Sequence, residues 1–287
     1  MGTIDTQAMM QKIEQSAQLI SLPEVYLRLQ ELLTDPEYTM AEVALLISRD
    51  PGLATRFLRI VNSPLNRRTH KIETVGHAIS LLGSQQVHDV VLCASITEVF
   101  TGILIEVMNM RQFWQQSVFC AVTAQQLAIA GNKTESERFF TMGLLHDIGH
   151  LFMYLAIPEE SQQAILQAKD MNRPLYQIER ELLGFDYAQI GANMMRIWDL
   201  PKSLQVTTRF HPEPNITRDF TLETALLHLS SLLTQSSLEN GQFGIEPFVA
   251  DDTVWTTTGL TNEQCLEIQQ TAADQFAEVE NSLFSPG

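Results

Sequence analysis

The sequence predicts an all-α protein. Apolar residues recur at helical spacing along the 287-residue chain, and N-capping residues and prolines mark where individual helices begin and end. A convincing run of alternating apolar and polar residues, typical of a half-buried strand, is missing from the sequence. Hydrophobic residues make up 45% of the chain, which is enough to build a sizeable core.

Helix signals in the first part of the chain are local and clear. The predicted helices cover about 5–20, 24–33, 43–48 and 52–61. A capping box, Thr39 followed three residues later by Glu42, opens the third helix. Asp50 as N-cap and Pro51 at the first helical position open the fourth.

Helical patterns continue through the second part of the chain. We predict one long amphipathic helix over 112–130 and a helical stretch over 135–156. Asp186 is the predicted cap of a later helix, and Pro201 starts a short helix that ends before His211. Further helices are expected at 222–238 and 261–283.

Charge is distributed unevenly along the sequence. The net charge is −16, and residues 219–287 contain eleven acidic residues and no Lys or Arg. This acidity argues against nucleic acid as a partner, although one basic face could still meet phosphates, an acidic protein or the chain's own acidic end. Such a contact patch could form between Arg49 and Lys71, and an ordinary solvated surface is the alternative. Its candidate residues are Arg56, Arg59, Arg67, Arg68 and Lys71.

Cysteine usage and hydropathy indicate a reducing compartment. Cys93, Cys120 and Cys265 are odd in number, widely spaced and set in apolar patterns, which suits buried thiols rather than disulfides. The sequence lacks an apolar run of the roughly 18 residues that span a bilayer, and its N-terminus lacks the features of a secretory signal. We therefore expect a cytoplasmic protein that does not enter membranes.

The stretch 139–157 carries a polar cluster inside an apolar run. Asp147 is its only Asp, Glu, Lys or Arg, and it lies between His146 and, three residues later, His150. Three interpretations compete. The cluster could be buried packing, or a zinc protease site with His146 and His150 on one helical face. The third interpretation is the adjacent His-Asp doublet of a metal-dependent phosphohydrolase, because Leu144-Leu145-His146-Asp147-Ile148-Gly149 resembles the motif of the HD superfamily.

Four further motifs resemble the HDOD family, the HD-related output domain of bacterial signalling proteins. They occur in order as Leu22-Pro23, Ile47 to Leu53, Leu58 to Ser63, and Ala78 to Gly83. The resemblance covers about 15–235. It implies a two-lobed helical HDOD fold, with an N-terminal helical lobe at 1–105 and an HD-phosphohydrolase-like helical bundle at 106–238. We predict that 239–287 is an acidic extension with one helix.

The resemblance also allows the metal-ligand positions of active HD enzymes to be compared with this chain. His146, Asp147 and His211 retain ligand chemistry, whereas Gln116, Tyr187 and Ser231 stand at three other matching positions. Losing the last aspartate removes a full charge from a cation site. We therefore predict a degenerate site without a metal cofactor, whose six residues could instead form a hydrogen-bonding ligand pocket.

The predicted function is signal transduction by binding rather than catalysis. The resemblance implies an output or adaptor role, with a signalling protein as partner and a nucleotide or second messenger as a possible ligand. The alternative is a phosphohydrolase or phosphodiesterase that binds a divalent metal through the reduced set of His146, Asp147 and His211.

Overall fold

A computed structural model describes residues 6–19, 22–63, 71–100, 107–133, 135–239, 242–243 and 248–284. Within these ranges the chain forms fifteen α-helices and a short 3-10 helix, Pro214–Ile216. The only strands there are two residues each, Leu238–Glu239 and Gln242–Phe243, which pair antiparallel. The predicted all-α class is therefore confirmed.

Five helices precede residue 100. They are α1 (Thr6–Leu19), α2 (Glu24–Thr34), α3 (Met40–Ser48), α4 (Pro51–Val61) and α5 (Val75–Val99). The predicted capping box is present, because the Thr39 side chain accepts from the Glu42 N–H while the Glu42 carboxylate accepts from the Thr39 N–H. Asp50 caps α4 by accepting from the N–H of Leu53.

The next eight helices build the second lobe. They are α6 (Met110–Ala130), α7 (Ser136–Leu145), α8 (Ile148–Ala156), α9 (Pro158–Met171), α10 (Leu175–Leu183), α11 (Tyr187–Ile197), α12 (Lys202–Phe210) and α13 (Thr221–Ser237). Asp186 caps α11 as predicted, since its carboxylate accepts from the Gln189 N–H. The stretch 135–156 forms two helices, which meet at His146 and Asp147.

Helix α6 lies at the centre of the molecule. It packs against α7, α13 and α15, and the helix is buried without interruption from Ser117 to Ala128. One continuous hydrophobic core joins buried side chains from both halves of the chain, from Met9 to Val279. The two halves pack directly against each other, since α1 contacts α8 and α5 contacts α7.

The acidic extension contains two helices rather than the single helix expected. They are α14 (Asp252–Thr258) and α15 (Asn262–Phe284). Helix α15 packs along α6 and against α4, and its Phe276 ring contacts Phe119 edge-on. The short α14 was missed because Gly, Asp and Thr dominate its surroundings, although Asp251 caps it by accepting from the Thr253 N–H. The extension is part of the core.

The cysteines and the hydropathy of the helices match the expectations from sequence. Cys93, Cys120 and Cys265 are buried free thiols. Among the helices that the structure describes, none combines the length and the apolar character needed to cross a bilayer.

Candidate functional site

The polar cluster lies where α7 ends and α8 begins. Two glycines permit the close packing of these helices. A Cβ on Gly143 would lie 2.5 Å from the Ala121 Cα in α6, and a Cβ on Gly149 would lie 1.9 Å from the Tyr187 carbonyl oxygen in α11. These distances are far below van der Waals contact, so only glycine fits at either position. The two close approaches bring the His146–Asp147 turn against α6 and α11.

His146 and Asp147 form a buried ion pair. The His146 Nε2 lies 3.2 Å from the Asp147 Oδ2, and the Nδ1–H donates to the Gly143 carbonyl at 2.8 Å. Burial opposes the charge on the ring, but Asp147, Cys120 and the Gly143 carbonyl outweigh it and raise the pKa of His146 to about 10. Burial also disfavours the carboxylate, yet the neighbouring histidines lower the pKa of Asp147. The pair is therefore an imidazolium facing a carboxylate.

A second histidine closes the site from the end of α12. The His211 Nδ1–H donates to the Thr208 carbonyl at 2.8 Å, which leaves Nε2 as an acceptor for the Tyr187 hydroxyl at 3.1 Å. Burial and the adjacent His146 charge lower the pKa of His211 to about 3, so this ring is neutral. Its Nε2 lies 3.9 Å from the Asp147 Oδ1, a buried oxygen without a hydrogen-bond partner.

His150 and Glu179 extend this network behind Tyr187. The His150 ring stacks on Tyr187 with centroids 3.9 Å apart, and its Nε2 lies 3.6 Å from the Oε1 of the fully buried Glu179. The other Glu179 oxygen accepts from the Tyr187 N–H at 2.9 Å. Glu179 was missed in the sequence, although a signal exists: it stands between Leu175 and Leu183 at i, i+4 spacing, on the apolar face of α10.

These groups border a cavity of about 370 Å³, which is within the size range of small-molecule sites. Its walls come from α8, α10, α11 and α13 and from the turns after α9 and α12. The polar lining residues are Asp147, His150, Tyr176, Tyr187, His211, His228, Ser231 and Gln235, and the apolar ones are Pro174, Leu175, Pro212, Leu232 and Val249. The structure thus offers a cavity with polar and apolar walls at the position of the His-Asp doublet.

The structure places four of the six predicted site residues on this cavity and one directly behind it. Asp147, Tyr187, His211 and Ser231 line the cavity, and His146 pairs with Asp147 from behind. Gln116 is half-buried on α6 and is not among the described residues that line the cavity. It therefore does not join the hydrogen-bonding pocket that the sequence suggested.

The predicted basic patch is only partly described. Arg56 and Arg59 are half-buried on α4, against which the acidic helix α15 packs, and Lys71 is exposed before α5. Arg67 and Arg68 lie outside the described residues. Helix α15, which belongs to the chain's own acidic end, packs against α4, the helix that carries Arg56 and Arg59.

The geometry allows one metal-ligand set among the described residues. Single donor atoms of His146, Asp147 and His211 lie within 4.8 Å of one another. Two imidazoles and a carboxylate can hold one transition-metal ion, and the partnerless Asp147 Oδ1 suits such an ion. The zinc protease interpretation is wrong, because His146 ends one helix and His150 belongs to the next, where it faces Glu179.

Comparison with known proteins gives the family. The model of the HDOD domain matches residues 19–214, about two thirds of the chain. An uncharacterized protein of Treponema pallidum is 26% identical over 196 residues, which is 66% of this chain. The chain spans only 37% of that relative's length.

Solved structures share the fold. A candidate phosphohydrolase of Shewanella amazonensis superposes with a TM-score of 0.74 at 23% identity, covering 96% of this chain and 98% of the other. An HDOD domain protein of unknown function from Geobacter sulfurreducens gives a TM-score of 0.72 at 20% identity, covering 98% and 100%. At these identities the likeness concerns the fold alone. Together with the family match over most of both lobes, it shows that the chain belongs to the HDOD family.

Proposed function

We propose that this chain is a non-catalytic signal-transduction module that acts by binding a small ligand in the cavity and a partner protein on its surface. The observation that carries the proposal is the set of contacts that the candidate metal ligands make within the protein. The His146 Nε2 lies 3.2 Å from the Asp147 Oδ2, and the His211 Nε2 lies 3.1 Å from the Tyr187 hydroxyl. The ring nitrogens that would coordinate a cation are therefore already paired with groups of the protein.

The charge of the ligand set supports the same conclusion. With His211 neutral, Asp147 is the only anionic ligand available, whereas tight sites for divalent cations that act on phosphate esters rely on several carboxylates. A metal would also have to displace the His146 proton and break the Tyr187–His211 hydrogen bond. Both changes cost free energy that a single carboxylate offsets poorly.

The test is metal content. Protein purified without chelator is measured by mass spectrometry beside the His146→Ala, Asp147→Ala double variant. We expect no stoichiometric metal in either protein, and no hydrolysis of bis(p-nitrophenyl) phosphate after addition of Mn²⁺, Fe²⁺, Zn²⁺ or Mg²⁺. Stoichiometric metal in the wild type that disappears in the double variant would overturn the proposal.

A second candidate function is hydrolysis of phosphate esters with one metal ion. The observation that favours it is the compact set of His146, Asp147 and His211 together with the partnerless Asp147 Oδ1. A metal there would supply an activated water. The residues of this chain would only hold the ion and exclude solvent, because the described lining residues include no Lys or Arg to neutralise a phosphate. Turnover that depends on added metal and is lost in His211→Ala would establish this activity.

A further inference from the structure

Formal charge in the cavity is confined to one side chain among the described lining residues. Among its described lining residues Asp147 is the only Asp, Glu, Lys or Arg. The Asp147 side chain is 23% exposed, whereas the side chain of its counter-ion His146 is 3% exposed and does not line the cavity. A bound molecule therefore meets the carboxylate first.

The nitrogens of the three lining histidines face groups of the protein. The His211 Nδ1–H donates to the Thr208 carbonyl at 2.8 Å, and the His228 Nδ1–H donates to the His211 carbonyl at 2.7 Å. The His150 Nε2 lies 3.6 Å from the Glu179 Oε1. These three nitrogens are therefore directed at protein oxygens rather than at a phosphate group in the cavity.

The arginine of α10, Arg180, is paired with carboxylates outside the cavity lining. Arg180 lies behind Tyr176, with its guanidinium carbon 5.1 Å from the ring centroid. Its Nε pairs with Asp186 at 2.5 Å, and another nitrogen pairs with Glu213. Arg180 therefore donates hydrogen bonds to two carboxylates, and it is not among the residues that line the cavity.

The remaining walls are suited to a cation. Tyr176 and Tyr187 present aromatic rings, Leu175 and Leu232 add apolar surface, and Gln235 lies on the α13 wall. Aromatic faces beside a carboxylate recognise ammonium groups through cation–π attraction and charge. Phosphate, in contrast, would be repelled by Asp147 and would find no arginine or lysine among these residues.

We propose that the cavity binds a small organic amine, with its protonated nitrogen at Asp147 and its apolar part between the tyrosines and Leu232, and that it rejects phosphorylated ligands. This inference rests on the proposed binding function and narrows it. The family resemblance led us to expect a nucleotide or second messenger, which carries negative charge. The inference predicts a positively charged ligand instead.

The experiment compares three probes that share one ring. Benzylamine, benzyl alcohol and phenyl phosphate are titrated by calorimetry into the full chain at pH 7, once with EDTA and once without it. With EDTA we expect benzylamine to bind at least about tenfold more tightly than phenyl phosphate, because one charge contact is worth about 1.4 kcal/mol or more. Benzyl alcohol should fall between them.

Two variants identify the groups responsible. Asp147→Asn should abolish the preference for benzylamine over benzyl alcohol. Because this substitution also disturbs the His146 ion pair, a second variant leaves the pair intact. Leu232→Lys on the half-buried wall of α13 places an ammonium at the cavity, and it should weaken benzylamine and strengthen phenyl phosphate, each by about tenfold.

The outcomes separate the two proposals. With EDTA present, phenyl phosphate binding as tightly as benzylamine, or no binding of benzylamine, would overturn the amine inference. Phenyl phosphate binding that is seen only without EDTA would instead reveal a bound metal, and it would overturn the non-catalytic function. Benzylamine binding that survives EDTA and is lost in Leu232→Lys would support the inference.

Discussion

The chain contains the adjacent pair His-Asp twice, and the two pairs have different structures. His88-Asp89 lies inside α5, in the part that follows a kink at Gly83, whereas His146-Asp147 lies at the break between α7 and α8. The first pair is followed by Val90-Val91 and the second by Ile148-Gly149. The comparison shows that the dipeptide alone does not make a site, and that the local backbone decides which groups meet it.

Hydrogen bonding makes the same distinction. The His88 Nδ1 lies 3.3 Å from the Asp89 Oδ1, and its Nε2 lies 2.7 Å from the Tyr26 hydroxyl, so this ring joins α2 to α5. His146 instead faces two acceptors, the Gly143 carbonyl and Asp147, and it is held as a cation. The first pair joins α2 to α5, with His88 also bordering a surface pocket, and the second lies between two helices beside the cavity of about 370 Å³.

The largest effect is expected from Gly149→Ala. The added methyl group would collide with the backbone of α11, which cannot move without opening the core, and we expect a loss of at least about 4 kcal/mol in the free energy of unfolding. Gly76→Ala is the control, because a Cβ there meets nothing within 4 Å. It should be neutral or stabilising by up to about 1 kcal/mol. Urea unfolding of both variants tests this, and an unchanged stability of Gly149→Ala would contradict the packing described.

An intermediate loss of stability is expected when the aspartate of either His-Asp pair is replaced by asparagine. Asp147→Asn leaves His146 without its counter-ion, and we expect a loss of about 3 kcal/mol at pH 7. Asp89→Asn removes the carboxylate from one hydrogen bond with the His88 ring and should cost about 1 kcal/mol. Urea unfolding gives both values. Equal losses of stability in Asp147→Asn and Asp89→Asn would contradict the difference between the two His-Asp pairs.

The smallest effect is expected from removing the tyrosine hydroxyls that contact the two histidine networks. Tyr26→Phe leaves the Nε2 of the 8% exposed His88 without its donor, at a cost of about 1–2 kcal/mol. Tyr187→Phe does the same to His211, but the cavity lets water replace the hydroxyl, so we expect about 0.5 kcal/mol. Thermal unfolding of the two variants tests the order, and a larger loss in Tyr187→Phe would reverse it.

Helix caps, which depend on residues close in sequence, were predictable from the sequence. Features that depend on contacts between distant parts of the chain were not. The caps at Thr39, Asp50 and Asp186 involve residues within three positions, so the pattern contains all the information needed. The break at residues 146 and 147 was missed because its causes are the close approaches of Gly143 to α6 and of Gly149 to α11. Both are contacts between distant parts of the chain.

The candidate site was likewise predictable in its residue types but not in its long-range contacts. The residue types at His146, Asp147 and His211 could be compared with a family pattern, but the partners that set their protonation could not be read from it. Gln116 belongs to that pattern in sequence and yet does not line the cavity. Glu179 has no place in the pattern, although its contacts with Tyr187 and His150 arise when α8, α10 and α11 pack together.

The burial of α6 on all sides has a consequence for amide hydrogen exchange. From Ser117 to Ala128 its residues are buried, and the helix packs against α7, α13 and α15, so these amides should exchange with solvent only when the whole molecule unfolds. Helices α10 and α13 carry half-exposed residues at the cavity, and their amides can exchange through smaller openings. The α6 amides therefore provide an internal reference for global stability, against which the slowing of exchange by a ligand in the cavity can be measured in the same sample.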